Sequence, residues 1–245
     1  MEIKNIILHF PWGAGGNFVR NCLLLDKRYE FDHSSRNTEE RYKYLLDFYQ
    51  QPTTSLTWLK NEWRGPRRYL YNTYYENAAT IKNWSVGKNV IYLSHCQGNE
   101  LLPIQDNILL DLYHVFLIPT NTEFISKIYY SKNPNGRENL QFTGSDINEE
   151  IKNLILTIEE LKTNQIQLLE ELKQQNKSSY VYNADRLFEN NGFELILDIA
   201  DRLSIHVPQQ MVQNLHRIWI NKTKFLYNNF FSNHPELSPT LLEWK

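Results

Sequence analysis

Ile6-Ile7-Leu8-His9-Phe10-Pro11-Trp12-Gly13-Ala14-Gly15-Gly16-Asn17-Phe18 runs from a short apolar strand, through a glycine-rich turn, into the start of a helix. Phe18, Val19, Cys22, Leu23 and Leu24 continue at helical spacing, as a helix packed on a sheet would. A turn of this kind presents bare backbone N–H groups at the positive end of a helix, which suits an anion such as phosphate. Gly13, Gly15 and Gly16 have no Cβ, so the chain turns sharply and a ligand can come close. The same glycines would also serve a tight strand–helix contact with no ligand present. The nucleotide-triphosphate pattern G-x-x-x-x-G-K-[ST] is absent, and no lysine lies between Leu8 and Leu25.

Further strands read outward from this start. Asn89–Ser94 and His114–Ile118 are continuous apolar runs, the pattern of strands buried on both faces of a parallel sheet, and Tyr180–Tyr182 reads as a last strand. Helices are expected over Thr38–Gln50 with Thr38 as cap, Thr57–Arg64, part of Asn99–Leu112, Thr122–Ser131, Phe193–Leu203, and from Pro208 to about Asn228, with an irregular tail after Phe231. Lys132–Gly136 reads as a loop. A long helix begins at Ser145 or Asp146 and reaches about Gln175, roughly 40 Å at 1.5 Å per residue. Ile151, Leu154, Ile155, Ile158, Leu161, Leu168, Leu169 and Leu172 form its apolar stripe, and Gln165 interrupts it. The stripe fits either packing on the chain's own sheet or a homodimer seam through 146–175. Alternation of strand and helix gives the α/β class: a three-layer, P-loop-like parallel sheet flanked by helices. Residues 1–245 are expected to form one domain, with a variable helical insertion over about 26–88.

Bulk composition narrows the function classes. Lys and Arg number 26 against 28 Asp and Glu, a net charge of −2, so nucleic acid is not an expected partner and any anion site is local. Two cysteines give neither a disulfide framework nor metal-ligand spacing. No membrane-spanning stretch and no leader segment are read, and the expectation is a soluble cytoplasmic protein. The 15 Tyr, 12 Phe and 6 Trp suit a packed protein with stacking surfaces.

Two further segments carry chemistry. Val90-Ile91-Tyr92-Leu93-Ser94-His95-Cys96-Gln97 sets a histidine at the end of a buried strand, where open α/β sheets bind ligands. An imidazole there suits proton removal from a hydroxyl at neutral pH, and equally suits capping or bonding a backbone carbonyl. Ile118-Pro119-Thr120-Asn121-Thr122, followed by Ser126 and Lys127, places hydroxyls and a cation at a helix entrance, where they could contact a second phosphate. A basic and aromatic group (Trp58, Lys60, Trp63, Arg64, Arg67, Arg68, Tyr69, Tyr71, Tyr74 and Tyr75) lies in the variable region.

In this order the segments resemble the sulfotransferase family that uses 3′-phosphoadenosine-5′-phosphosulfate (PAPS). Gly13-Ala14-Gly15-Gly16-Asn17-Phe18 falls on the family's K-S-G-T-T-W loop, and Ser94-His95-Cys96-Gln97 with Leu101-Leu102-Pro103 on its K-T-H-x-P…L-L-P segment. Tyr129-Tyr130 falls on an aromatic pair, and Tyr182-Asn183-Ala184-Asp185 is similar to a Y-E-D turn. The resemblance implies PAPS as cofactor, held by Gly13, Ala14, Gly15, Gly16 and Asn17, with Phe18 stacking on adenine and Ser126 on the 3′-phosphate. It implies His95 as general base toward a hydroxyl of a small molecule or glycan. The sequence departs from the pattern at Gly13, where the loop lysine would stand, and at Ile118, where an arginine would stand; no R-K-G clamp follows. Those departures keep a second reading open, a catalytically degenerate binding or structural protein of the same fold. A nucleotide or sugar-phosphate kinase is the third.

Overall fold

The computed structural model describes residues 5–29, 31, 37–51, 89–96, 112–132 and 146–237. The expected helix at 57–64, the basic and aromatic group at 58–75, nearly all of the 99–112 helix and the 133–136 loop lie outside the described residues.

Strand β1 (Ile6–His9) is wholly buried and pairs in parallel on both edges. Ile6 stands opposite Ile91 of β2 (Ile91–Ser94) and Tyr113 of β3 (Tyr113–Ile118); His9 stands opposite Ser94 and Phe116. Strand β4 (Ser179–Asn183) pairs in parallel with β3, giving the order β2-β1-β3-β4. Burial on both faces explains why the first three strands read as unbroken apolar runs. At the edge, β4 alternates instead, and Val181 is 50% exposed.

Period-two alternation sends successive side chains of each strand to opposite faces. One face carries Ile6, Leu8, Ile91, Leu93, Val115 and Leu117 and is covered by Phe18, Val19, Cys22 and Leu23 of helix α1 (Gly16–Leu23). The other carries Ile7, Tyr92 and Phe116 and is covered by Leu168, Leu169 and Leu172 of helix α4 (Ile147–Gln174). Between them in the chain come α2 (Thr38–Gln50) and α3 (Thr122–Lys132); after β4 come α5 (Phe193–Arg202) and α6 (Gln209–Asn233). The protein is therefore mixed α/β, a parallel four-stranded sheet with helices on both faces. Among the described residues no helix is long and apolar enough to cross a membrane.

Three boundaries differ from expectation. Asn37, not Thr38, caps α2: its extended backbone lets the side chain accept from the Glu40 N–H at 2.9 Å. Helix α6 reaches Asn233, beyond Asn228, because Tyr227, Phe230 and Phe231 extend its buried stripe. A 3₁₀ turn, Pro235–Leu237, then occupies what was read as irregular tail. In α4 the apolar stripe is buried within the chain. Gln165 sits inside it, wholly buried, with neither amide atom hydrogen-bonded among the described residues.

Beneath α4 the sheet holds a buried polar line. Cys96 donates its backbone N–H to Ser94 Oγ at 3.1 Å, and its Sγ lies 3.4 Å from His9 Nδ1. His9 Nε2 meets His114 Nδ1 at 3.0 Å, and His9 also stacks on Phe116 at 4.4 Å. Among the described residues, no three His, Cys, Asp or Glu side chains are grouped to hold a metal ion. Burial, and then the neighbouring His114, hold the His9 imidazole well below the usual histidine range.

The unfolded chain protonates such a histidine below about pH 6.5 and the folded chain does not, so stability falls as pH drops from there. One proton accounts for a slope of at most about 1.4 kcal/mol per pH unit. Thermal melts between pH 7 and pH 5 are expected to show this loss, and a His9→Leu/His114→Leu variant to show a shallower one. His216, also lowered by burial, keeps the variant from being flat. Equal slopes in the two proteins would remove the pair from the acid response.

Candidate functional site

Strand β2 lies on one side of β1 and β3 on the other, so the chain reverses its direction of growth across β1. In an open parallel sheet the crevice at the carboxyl ends beside such a reversal is where ligands sit. Into it the sequence delivers the turn after β1, His95 after β2, and Pro119–Asn121 after β3.

The turn is built by close approach. Gly13 and Gly15 have left-handed φ values of 84° and 79°, which residues with a Cβ adopt at a cost. A Cβ on Gly13 would lie 2.8 Å from the Ile125 carbonyl oxygen, and one on Gly16 would lie 2.2 Å from the Phe10 ring. Ala14 is wholly buried and donates its N–H to Pro11 O at 3.2 Å. Gly15 is the N-cap of α1, and among the described residues no side chain caps that helix. Asn17, half-buried, lies in its first turn.

His95 is half-buried and tied to the start of the turn. Its Nδ1 lies 2.9 Å from Phe10 O, and its ring stands edge-on to Phe10 and Trp12 at centroid distances of 4.8 and 6.2 Å. A carbonyl only accepts, so Nδ1 carries the hydrogen and Nε2 of the neutral ring holds the lone pair a base requires. Trp12 in turn stacks on Tyr129 of α3 at 5.9 Å.

Two expected residues are placed elsewhere. Phe18 is wholly buried, stacked on Trp219 of α6 at 4.4 Å and edge-on to Tyr49 of α2. Ser126 is wholly buried and donates its hydroxyl to Thr122 O at 2.7 Å within α3. Neither side chain offers an atom to a ligand in this arrangement. The β3–α3 turn likewise already holds an anion, and it belongs to the protein. The Asp185 carboxylate accepts from the N–H groups of Thr120 and Asn121 at 3.1 and 3.0 Å and from the Thr120 hydroxyl. The Thr122 hydroxyl donates to Glu159, and Lys127 pairs with Glu123 at 2.6 Å. The expected second phosphate seat is thus internally filled.

The fit to a phosphosulfate-bearing nucleotide is consequently split. The Cβ-free turn at the N-terminus of α1 suits an oxyanion. Phe18 and Ser126 do not fit as adenine and 3′-phosphate contacts. Neighbours that sequence reasoning missed are Trp219, whose ring packs beside Gly15, and Lys132, whose ammonium lies 4.7 Å from the centroid of that ring. Trp219 lies on the apolar stripe of α6 and Lys132 in the last turn of a helix, positions whose patterns carry no signal of a site.

No protein-family model matches the chain, no curated protein matches it, and no solved structure matches its fold.

Phe18→Ala tests whether that ring is core. Removing a buried phenyl costs about 3–5 kcal/mol, so urea unfolding is expected to show a loss of that size without any ligand. A loss under about 1 kcal/mol would return Phe18 to the surface of the site.

Proposed function

We propose that this chain is a group-transfer enzyme of sulfotransferase type, with PAPS as donor and a hydroxyl of a small molecule or glycan as acceptor. The observation that carries this reading is the bond from His95 Nδ1 to Phe10 O, which couples a candidate base to the first residue of a candidate oxyanion turn. The donor, when bound, supplies an activated sulfuryl group. The backbone N–H groups of Gly13 and of Gly15–Asn17, at the positive end of α1, hold its oxyanion and offset charge that develops there during transfer, while that of Ala14 stays on Pro11 O. His95 Nε2 takes the acceptor proton, and the Phe10 carbonyl fixes the tautomer and orients the ring. Trp12, part-exposed and backed by Tyr129, is the aromatic surface beside the turn on which a base or sugar would stack. It takes the place that Phe18 does not fill.

A second reading, a non-catalytic binding protein of this fold, is favoured by the burial of Phe18 and Ser126 and by Asp185 in the β3–α3 turn. Calorimetric titration with 3′,5′-ADP separates the two. The wild type and His95→Gln are expected to bind it alike, while turnover of PAPS over a panel of hydroxyl acceptors falls about a hundredfold or more in the variant. Unchanged turnover removes His95 from the chemistry. Absence of 3′,5′-ADP binding overturns the enzyme reading in favour of the binding protein.

A further inference from the structure

The apolar stripe of α4 lies against the chain's own core, and the opposite side of the helix faces outward. Two large apolar side chains stand on that outer side, Leu156 at 68% exposure and Ile166 at 44%. A single exposed leucine is ordinary. These two belong to one line: steps of three and four residues, taken alternately from Glu149, pass through both and end at Lys173. That is the spacing of a coiled-coil seam. Every position on the line is exposed except Glu159, which is half-buried.

Reversed, the line is its own complement. Two copies of α4 laid antiparallel, with a two-fold axis at the level of Leu161, form each contact twice. Leu156 meets Ile166 of the second copy, Lys152 meets Glu170, and Glu149 meets Lys173. The innermost contact is Glu159 with Thr163. Glu159 already takes the Thr122 hydroxyl and pairs with Lys162 at 3.6 Å, so it brings no unbalanced charge to the axis. Within one chain Glu170 and Lys173 pair at 2.7 Å. In the seam that pair lies between Lys152 and Glu149 of the second copy, four charges alternating in sign. Helices packed this way cross at about 20° and part toward their ends, where the long charged side chains stand.

Other arrangements of the same faces conflict. Parallel and in register, Glu149, Lys152 and Glu170 each face their own kind. An antiparallel slip of one heptad sets Leu156 against Lys173 or Glu159. Charge therefore selects the direction, and the apolar pair selects the register.

We propose that the outer face of α4 binds a second copy of this chain, antiparallel, as a symmetric dimer. Two Leu–Ile contacts flanked by exposed ion pairs make this a weak, exchanging association.

Sedimentation velocity on the full chain, over about 1 to 200 μM, is expected to show the mass of one chain giving way to that of two. The mass of one chain throughout overturns the inference. Leu156→Asp, an exposed substitution checked by its thermal melt, is expected to weaken association at least tenfold; undiminished association places the dimer on another face and overturns the seam. Lys152→Glu/Lys173→Glu is expected to stay monomeric alone and to pair when mixed with Glu149→Lys/Glu170→Lys; failure of the mixture to pair counts equally against it. Mild oxidation reads the direction, since both native cysteines are buried. Leu156→Cys/Ile166→Cys is expected to cross-link into a dimer. Leu156→Cys alone is expected to give none, because its two copies lie about 15 Å apart along the seam. Cross-linking of the single variant overturns the antiparallel arrangement.

Discussion

Where β1 becomes α1, chain and side chain meet at distances that no Cβ permits. The Phe10 ring covers the bare Cα of Gly16, and α3 closes on Gly13 through Ile125 and Tyr129. Much else follows from that contact. With its ring folded back over the helix start, Phe10 shows its carbonyl to His95 and its N–H to Ser94 O. The end of β2 is thereby fastened to the turn, and α3 is held at the distance that lets Tyr129 back Trp12. One tight turn sets the spacing of three strand ends.

Two helices that begin at this end of the sheet are finished in opposite ways. At α3 the protein supplies its own negative charge, Asp185, and a side-chain cap, Asn121 Oδ1 accepting from the Phe124 N–H at 2.9 Å. At α1 the N-cap is Gly15, no side-chain cap is present among the described residues, and the ring of Trp219 packs beside it. A third polar node ties the end of α1 to the later helices. Burial pushes the Asp26 carboxyl up, but bonds from Arg28 and from the His206 N–H outweigh it and hold the group below the usual carboxylate range. Arg28 also reaches Ser204 O, so the tail of α1 is clamped to the segment joining α5 and α6.

The sheet was legible because burial on both faces leaves a mark in one strand alone: Ile6–Leu8, Ile91–Leu93 and Val115–Ile118 are apolar without interruption. Helix α4 was legible from its stripe, and Asp146 from its place just before it. The glycine turn and His95 were found as positions, since strand ends are set locally. What the side chains do there was less legible. The resemblance to the sulfotransferase loop put Phe18 on adenine, yet its surroundings are set by Tyr49 and Trp219, one of them about 200 residues away. The resemblance put Ser126 on the 3′-phosphate, whereas a hydroxyl facing inward bonds the preceding turn. Nothing in the local pattern of Thr120 foretells that Asp185 will occupy it. The line from Ser94 to His114 needed the strand register before its members became neighbours.

Helix α4 belongs to both halves of the interior. Ile151, Leu154 and Ile158 lie in the core on one side of the sheet, and Leu168, Leu169 and Leu172 in the core on the other. Between them Asn164 bonds the Cys96 carbonyl, one residue past His95. The two cores already share the strands between them, and α4 adds a second tie. A single rod threaded through both makes them mechanically one: neither side loosens without loading the helix that the other holds. The strand end bearing His95 is pinned at the middle of that rod, so the site inherits the stability of the whole rather than that of its own loops.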